Sequence, residues 1–485
     1  MITALKVNRD IGNYKLSRYL IVTDKFFSPL ERQEKRIIFA TRTDAVKIVT
    51  AKQWEHIYTG DFDSLSHGLM EALKASKIIV SLDEDELASV LKENRQAIAN
   101  SHRLAFGVLP SADCQLDCSY CGQAHKRKKL SSANQKLFLK RVRNKLERHP
   151  YRELKVCWTG AEPLLALDVI RKMSPKFMAL AREFECDYIS DIMTNGLLFT
   201  PKIAAELSRE CGITLAEVTL DGSKLYHDKR RCGKNGMPTF GKILKNVIAI
   251  ARNEKSKMKI QVRCNVDHRN YEGVSALMRE LAGKAVFNRL NGFSIIPVHD
   301  RGSLTDRIFG KTEEIASREI KWLEQMKHLG LQNINLIPHR LKKACFAIDA
   351  SSEVVDAFGN LFNCADVISQ MYEKPAGSSS KNGTGRNIFS IGSLSGGKNP
   401  GNRVLLSGFN DRIEQGKVPC GTCRVLPLCG GACPRRWLEC DAPCPTFKYN
   451  IEKRLMLEYS NNEFRKEIKK CQRTSRVLLL NRSLS

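Results

Sequence analysis

Three cysteines in one short loop are the residues of this chain best suited to chemistry. They lie in Cys114-Gln-Leu-Asp-Cys118-Ser-Tyr-Cys121, with three and then two residues between them. A cubane 4Fe–4S cluster has four irons, and thiolates are its usual protein ligands. Three cysteines would leave one iron without a protein ligand and open to a small molecule. The loop therefore predicts a cluster that takes part in a reaction.

Two simpler interpretations of the loop need weighing. A zinc site would normally need a fourth Cys or His at short spacing, and His125 would serve. A disulfide is disfavoured, because bridging neighbours within one tight loop strains the bond. The loop alone favours a cluster and leaves zinc as the alternative.

An aromatic residue, Tyr120, precedes the third cysteine and completes a Cys-x3-Cys-x2-Cys loop. This loop resembles that of the radical S-adenosylmethionine (radical SAM) enzymes. In that family the open iron chelates SAM, which is cleaved reductively to a 5′-deoxyadenosyl radical. The resemblance implies that Cys114, Cys118 and Cys121 hold the cluster and that Tyr120 packs near the adenine.

Strands and helices alternate regularly from 102 to about 298, and the cysteine loop follows the first strand. Six β/α units in series predict an α/β fold, a parallel sheet curled into a partial (β/α)6 barrel like that of a TIM barrel. Chemistry in such a fold is expected at the carboxyl ends of the strands, where the loop lies. The predicted strands are Leu104–Leu109, Leu154–Trp158, Tyr188–Met193, Thr214–Leu220, Ile260–Val266 and Phe293–Val298, and the predicted helices are 132–148, 167–184, 201–211, 239–254 and 271–284.

Two strand ends carry segments that resemble SAM-contacting turns of the family. The segment 158–163, Trp-Thr-Gly-Ala-Glu-Pro, is similar to the Gly-Gly-Glu-Pro segment, with Ala161 in place of the second glycine. The resemblance implies that Glu162 and the backbone near Gly160 hold the SAM ammonium, since a carboxylate suits a cation. The turn Thr-Asn-Gly at 194–196 resembles the ribose-contacting turn, where Asn195 offers a donor and an acceptor to a diol.

The fourth strand end resembles a block of the SPASM-containing branch of the family. Residues 218–222, Val-Thr-Leu-Asp-Gly, are followed by His227-Asp228 and Arg230-Arg231. The resemblance implies that Thr219 and Arg231 contact SAM. Each short segment is weak evidence alone, but together they occur in the right order at the right strand ends.

The C-terminal part of the chain carries a second cysteine pattern. Cys345-x13-Gly359-x4-Cys364 precedes the run Cys-x2-Cys-x5-Cys-x3-Cys at 420–433, and Cys440 and Cys444 follow. Alone, the run would also fit zinc. Beside the first loop, the pattern resembles the seven-cysteine signature of the SPASM domain, which binds two auxiliary 4Fe–4S clusters.

The SPASM resemblance also implies which cysteines bind each auxiliary cluster. Since no cysteine lies between the first two positions, the first auxiliary cluster is expected to have an open iron. The closing Cys-Pro-x-Phe-Lys segment favours Cys444 over Cys440 as the last ligand. The implied ligands are Cys345, Cys364 and Cys433 for the first cluster, and Cys420, Cys423, Cys429 and Cys444 for the second.

The first 98 residues are expected to form a separate module. Short β-branched or aromatic runs are followed by two amphipathic helices and a returning strand, a winged-helix-like order. The pattern resembles the leader-peptide recognition modules fused to radical SAM peptide maturases, and strand addition to a sheet edge would be its binding mode. An N-terminal domain that merely packs on the core is the alternative. The predicted domains are 1–98 (peptide recognition), 102–300 (radical SAM core), 301–344 (helical bridge), 345–450 (SPASM) and 451–485 (helical basic tail).

Composition restricts the class of protein. The chain has 485 residues, a formal charge of +27 and 17 cysteines. We expect a cytoplasmic protein, because the first residues lack the apolar run of a secretion signal and no stretch is apolar enough to cross a membrane. In a reducing compartment, many cysteines indicate metal rather than disulfides. The basic residues are scattered, which disfavours nucleic acid and favours an acidic peptide or a solvated surface.

The resemblance implies oxidative modification of a ribosomally made precursor peptide, and it favours a C–C or C–S cross-link within the peptide. One alternative is oxidation of Cys or Ser to formylglycine, as in anaerobic sulfatase maturases, and another is a metal-cluster protein without turnover. In sulfatase maturases a carboxylate directly follows the matching cysteine, whereas here Ala365 precedes Asp366. Asp366 and Asp221 are the candidate bases. A flavodoxin or ferredoxin is the expected electron donor.

Overall fold

The structure is a computed structural model of the chain. It describes residues 13–123, 125–298, 312–367, 389–397, 400–439 and 442–460, except for the side chains of 400–403. Cys440 and the predicted tail beyond 460 lie outside these residues.

The N-terminal part contains a small antiparallel sheet with helices beside it. The strand β4 lies at the centre, with β2 and β3 along one edge and β5 along the other. The strands β1 and β6 form a separate antiparallel pair. In chain order the elements are β1 (Tyr14–Leu16), β2 (Leu20–Val22), β3 (Phe26–Ser28), β4 (Gln33–Ala40), β5 (Ala45–Thr50), α1 (Ala51–Thr59), α2 (His67–Ala75), β6 (Ile79–Ser81) and α3 (Glu86–Ala99).

The central part is an α/β layer structure that confirms the predicted alternation. Its elements are β7 (Arg103–Val108), β8 (Leu116–Cys118), α4 (Ser132–Arg148), β9 (Glu153–Trp158), α5 (Leu167–Glu183), β10 (Asp187–Thr194), α6 (Pro201–Glu210), β11 (Ile213–Thr219), α7 (Lys224–Arg230), β12 (Arg231–Gly233), α8 (Phe240–Ala251), β13 (Lys259–Val266), α9 (Tyr271–Gly283), β14 (Gly292–Pro297) and α10 (Thr312–His328).

Six of these strands form a parallel sheet in chain order, β7-β9-β10-β11-β13-β14. The strands β7 and β14 do not pair with each other, so the sheet stays open, as expected of a partial barrel. Helices cover the sheet through one continuous apolar core that includes Phe106, Phe138 and Phe177. All six carboxyl ends therefore meet at one edge of the sheet.

Strands from the C-terminal part extend this sheet. They form the order β7-β15-β16-β17, in which β15 runs parallel to β7. The remaining elements are β15 (Glu353–Val355), β16 (Asn360–Phe362), β17 (Ser390–Ser393), α11 (Pro400–Ser407), α12 (Phe409–Glu414), α13 (Leu426–Cys429) and α14 (Pro434–Leu438), and residues 447–460 are also helical. None of the described helices is both long enough and apolar enough to cross a membrane.

Candidate active site

A cavity of about 360 Å³ opens at the carboxyl ends of the parallel strands. The cysteine loop after β7, the turns after β9 and β10, and the ends of β11, β13 and β14 all border it. The C-terminal part closes one side with Ala365 and Asp366. Of the predicted site residues, those that line the cavity are Cys114, Cys118, Tyr120, Cys121, Gly160, Asn195, Thr219, Arg231 and Asp366.

The cysteine loop is held by main-chain pairing on one side and by hydrogen bonds to sulfur on the other. The strand β8 pairs with β12, so that Cys118 lies opposite Arg231. The Cys114 sulfur accepts from the Leu116 N–H at 3.5 Å and from Asn195 Nδ2 at 3.6 Å. All three thiols border the same cavity. The loop thus presents them together.

Two thiols of this loop, those of Cys114 and Cys118, are poor acids by themselves. Burial raises the pKa of Cys114 and raises that of Cys118 to about 12, although the Arg231 charge acts against this for Cys118. A metal ligand must be a thiolate, and metal binding supplies the charge that makes deprotonation favourable.

The turn after β9 requires a glycine and is locked by a buried carboxylate. Gly160 has φ +115°, and a Cβ there would lie 2.6 Å from Leu109. Glu162 is fully buried and accepts from Leu164 N–H, Thr194 Oγ1 and Asn195 N–H at 2.8–3.0 Å. It does not line the cavity, and residues 159–161 form this part of the wall. Its predicted contact with the SAM ammonium stays a prediction.

Asn195 joins this turn to the cysteine loop. Its Oδ1 accepts from Leu197 N–H at 2.9 Å and from Gln115 Nε2 at 3.4 Å, while its Nδ2 reaches the Cys114 sulfur. Asn195 is 6% exposed. Both the oxygen and the nitrogen of the amide therefore already make hydrogen bonds. The predicted contact with a ribose would have to use the same two atoms.

The Tyr120 hydroxyl is the centre of a buried polar network. It donates to Asp221 at 2.5 Å and accepts from Arg231 at 2.6 Å and from Asn265 at 3.0 Å. Arg230 lies 5.0 Å from the centre of the Tyr120 ring. Burial raises the pKa of Tyr120 well above its ordinary value, so the hydroxyl keeps its proton. The network fixes Arg231 beside the thiol of Cys118.

The two candidate bases differ in their access to the cavity. Asp366 lines it and pairs with Arg435, whose Nη1 lies 3.1 Å from Asp366 Oδ2. Asp221 is fully buried behind Tyr120 and also accepts from Asn265 N–H at 2.9 Å. A substrate in the cavity would meet Asp366 and not Asp221.

Three buried polar atoms near the cavity have no hydrogen-bond partner in the described structure. They are Gln115 Oε1, His125 Nε2 and Arg231 Nε. Buried polar atoms without partners are costly and usually satisfied in native proteins. Of these residues, His125 and Arg231 line the cavity and Gln115 does not, so the wall fits a polar ligand that offers an acceptor to the Arg231 N–H.

Sequence reasoning missed three further residues that line the cavity. Glu217, Arg263 and Asn265 project from β11 and β13, and Arg263 Nη1 lies 3.3 Å from Glu217 Oε1. Polar residues at alternate positions of a buried parallel strand are an unusual pattern that marks a side facing a cavity. That alternation was the available signal.

Solved structures share this arrangement of elements. A histidine-tagged form of anSMEcpe with bound AdoMet (SAM), an anaerobic sulfatase-maturating enzyme, aligns with a TM-score of 0.53 and 17% identity over 74% of this chain and 96% of its own. Native anSMEcpe with AdoMet and the Cp18Cys peptide aligns with a TM-score of 0.52 and 18% identity over 74% and 99%. The chain has the radical SAM fold.

Streptococcus suis SuiB bound to the precursor peptide SuiA aligns with a TM-score of 0.45 and 12% identity, over 89% of this chain and 98% of that one. No protein-family model matches the sequence, and no curated protein is detectably similar to it.

In this radical SAM fold, the cysteines of the C-terminal part lie in two groups. A thiolate at Cys433 raises the pKa of Cys345 and Cys364. Thiolates at Cys423 and Cys444 raise the pKa of both Cys420 and Cys429. Burial raises the pKa of Cys364, Cys420 and Cys429 to about 12. The grouping is the one expected for two auxiliary clusters, and Cys444 lies with the second group. The ligand assignments themselves stay predictions.

The donor set of the loop of three cysteines fits an iron–sulfur cluster. All fifteen described cysteines are free thiols. Within the described residues, no three His, Cys, Asp or Glu side chains converge tightly enough to hold a single metal ion. The thiolates of a four-iron cluster each bind a different iron and need not converge on one point.

Proposed function

We propose that the protein is a radical SAM peptide maturase that oxidatively cross-links side chains of a ribosomally made precursor peptide, through a C–C or C–S bond. The observation that carries the proposal is the cavity in which three thiols, Arg231 and the carboxylate of Asp366 meet. The neighbour of the same fold that was solved with both AdoMet and a peptide supports a peptide as the substrate.

In the proposed reaction, Cys114, Cys118 and Cys121 hold a 4Fe–4S cluster, and the C-terminal cysteines hold two more. When bound, these clusters would supply the electron that cleaves SAM and would accept the electron that the peptide gives up, so that the peptide loses one hydrogen atom to the adenosyl fragment, and one proton and one electron, as the new bond forms. The residues of this chain position the reactants and exclude water. Tyr120 orients Arg231 toward an anionic group in the cavity, and Asp366 takes up the proton that the peptide loses.

The N-terminal module is proposed to hold the precursor. Within the described residues, β5 pairs only with β4 and so leaves an edge. Its Val46 and Ile48 side chains are 42% and 44% exposed. An extended peptide adding to this edge would gain main-chain hydrogen bonds and cover these two side chains.

A second candidate reaction is oxidation of Cys or Ser to formylglycine. The neighbour anSMEcpe supports it, and so does the position of Asp366 in the cavity wall. Against it stands Ala365, which occupies the place where the resembled maturases carry their carboxylate. An aldehyde product would react with a hydrazide reagent, whereas a cross-linked product would not.

Metal analysis of anaerobically reconstituted protein tests the enzyme proposal first. Three clusters predict about 12 iron and about 12 sulfide per chain. Cys118→Ala should abolish formation of deoxyadenosine and leave about 8 iron, because the auxiliary sites remain. Cys186→Ala, which removes a thiol just before the amino end of β10 and outside the cavity lining, is the matched control and should keep both properties. Stoichiometric zinc with little iron, or deoxyadenosine from Cys118→Ala, would sink the proposal.

The reaction itself is tested by the intact mass of candidate precursor peptides co-expressed with the protein under anaerobic conditions. A cross-link removes about two hydrogens per site, as oxidation of Ser to formylglycine also does, so fragmentation and the hydrazide reaction distinguish the two products. An unchanged mass despite SAM cleavage would rule out those peptides as substrates and direct the search to the formylglycine reaction.

A further inference from the structure

A second cavity, of about 550 Å³, lies between the N-terminal module and the cysteine-rich C-terminal part. It is larger than the cavity of about 360 Å³ at the strand ends. The N-terminal wall comes from residues 16–21 and α1, and the opposite wall from 419–425 and the helix 447–460. Ligand pockets commonly have such a volume and lie between domains.

The walls combine apolar surface with cations. Leu20, Ile21, Trp54 and Val425 supply the apolar side. Arg18, Arg424 and Lys448 supply three positive charges, against the single carboxylate of Glu452. Such a lining favours a ligand that carries acidic groups on either side of an apolar group.

Contacts across the cavity connect it with the second cysteine group. Arg18 Nη2 donates to the Gly421 carbonyl at 2.6 Å, which joins the two walls. Cys423 lies in the cavity wall, and Lys448 Nζ donates to the Cys444 sulfur at 3.3 Å. A ligand here would contact both the module and the cysteine-rich part.

We propose that this cavity binds an acidic segment of the precursor peptide, with an apolar side chain between Leu20, Trp54 and Val425 and flanking carboxylates on Arg18 and Arg424. This inference rests on the proposed function and adds a contact separate from the β5 edge. The β5 edge would bind the main chain of the precursor peptide, and the cavity would recognise the charges of its side chains. The excess of basic residues in the chain, +27 overall, attracts such a segment.

Anisotropy of a fluorescein-labelled synthetic peptide measures the binding. The peptide has Leu and Phe between Asp and Glu residues, and a second peptide of the same sequence has Asn and Gln in place of the acids. The charged peptide should bind the full-length protein, and the uncharged one should bind at least about tenfold more weakly. Binding should also weaken with added salt, because exposed charges are screened.

Two double variants locate the site. Arg18→Gln with Arg424→Gln should weaken binding of the acidic peptide about tenfold. The matched control, Lys52→Gln with Lys417→Gln, removes one exposed cation from each part outside the cavity and should bind within about twofold of the unchanged protein. Circular dichroism confirms that both variants are folded.

Equal binding of the acidic peptide by the two double variants would overturn the inference, as would equal binding of the charged and uncharged peptides. Slower reduction of the Arg18/Arg424 variant by flavodoxin, with peptide binding unchanged, would overturn it in favour of a redox protein as the occupant. SAM cleavage by the unchanged protein is measured separately. Its failure would sink the proposed function and leave the peptide-binding result to stand.

Discussion

At the scale of single residues, Glu162 shows how a buried carboxylate maintains the wall of the cavity. Its two oxygens accept from two backbone N–H groups and one hydroxyl, which link the turn after β9 to the turn after β10. Glu162→Gln would turn an N–H group toward one of these donors. We expect the free energy of unfolding to fall by about 2 kcal/mol, the cost of an unsatisfied buried donor. Urea unfolding of the metal-free protein measures it.

The control for this change is Glu254→Gln, in which an exposed carboxylate loses its ion pair with Arg289 at 2.9 Å. Surface pairs contribute little, so the loss should stay below about 1 kcal/mol. If Glu162→Gln lowers SAM affinity and leaves unfolding unchanged, Glu162 holds the SAM ammonium as the family resemblance implies, and its part in the wall is minor.

At the scale of secondary-structure elements, local signals predicted most of the central sheet. The helix α4 covers 132–148, as predicted, because Ser131 accepts from the Asn134 N–H at its start. Thr200 likewise caps α6, with Pro201 as its first residue. These signals lie within a few residues of each other. The sequence therefore contained the information needed for the strands, the helices and the loop of three cysteines.

The pairing of β15 with β7 was not predictable in this way. The strand β15 has three residues, and its partner lies about 250 positions earlier. Three residues show no periodicity. Glu353 holds the strand in place by accepting from Arg141 at 2.6 and 2.7 Å and by pairing with Lys145 at 3.0 Å, a contact that only the folded chain reveals.

Glu353 predicts a response to acid. Burial raises the pKa of Glu353, but the ion pairs with Arg141 and Lys145 outweigh burial and hold the pKa below its ordinary value of 4.5. A carboxylate with a lowered pKa stabilises the folded state at neutral pH, and this contribution is lost as the pH falls through the folded value. Glu353→Gln should therefore lower the free energy of unfolding by about 2 kcal/mol at pH 7. The difference should shrink on acidification below pH 4.5.

Thermal unfolding as a function of pH measures this difference. The matched variant is Glu183→Gln, which removes an exposed carboxylate. Its partner, Arg143, lies on α4, as does Arg141. Its curve should follow that of the unchanged protein within about 1 kcal/mol. A constant difference between Glu353→Gln and the unchanged protein from neutral to acid pH would contradict the ion-pair explanation.

At the scale of the whole molecule, the N-terminal module shares a core with the cysteine-rich part. Ile21, Ile37 and Phe39 pack with Val425 and Leu428 and with the helix 447–460. The sequence does not show that the apolar residues of these two segments pack together, because about 400 positions separate them. The sequence predicted a separate N-terminal module, with a domain that packs on the rest of the chain as the alternative. Contacts across such a distance depend on packing that no local pattern shows.

This shared core predicts that damage to the module loosens the second cysteine group. Phe39 is fully buried, so Phe39→Ala should cost about 3 kcal/mol. Amides of 425–429 and 447–455 should then exchange with deuterium faster. Leu73→Ala removes a fully buried side chain from the module's own core, away from the cysteine-rich part, and should leave those amides protected while the module stays folded. Equally faster exchange of these amides in both variants would mean that the module and the cysteine-rich part unfold as one unit. Unchanged exchange in Phe39→Ala would mean that the shared core does not stabilise the second cysteine group.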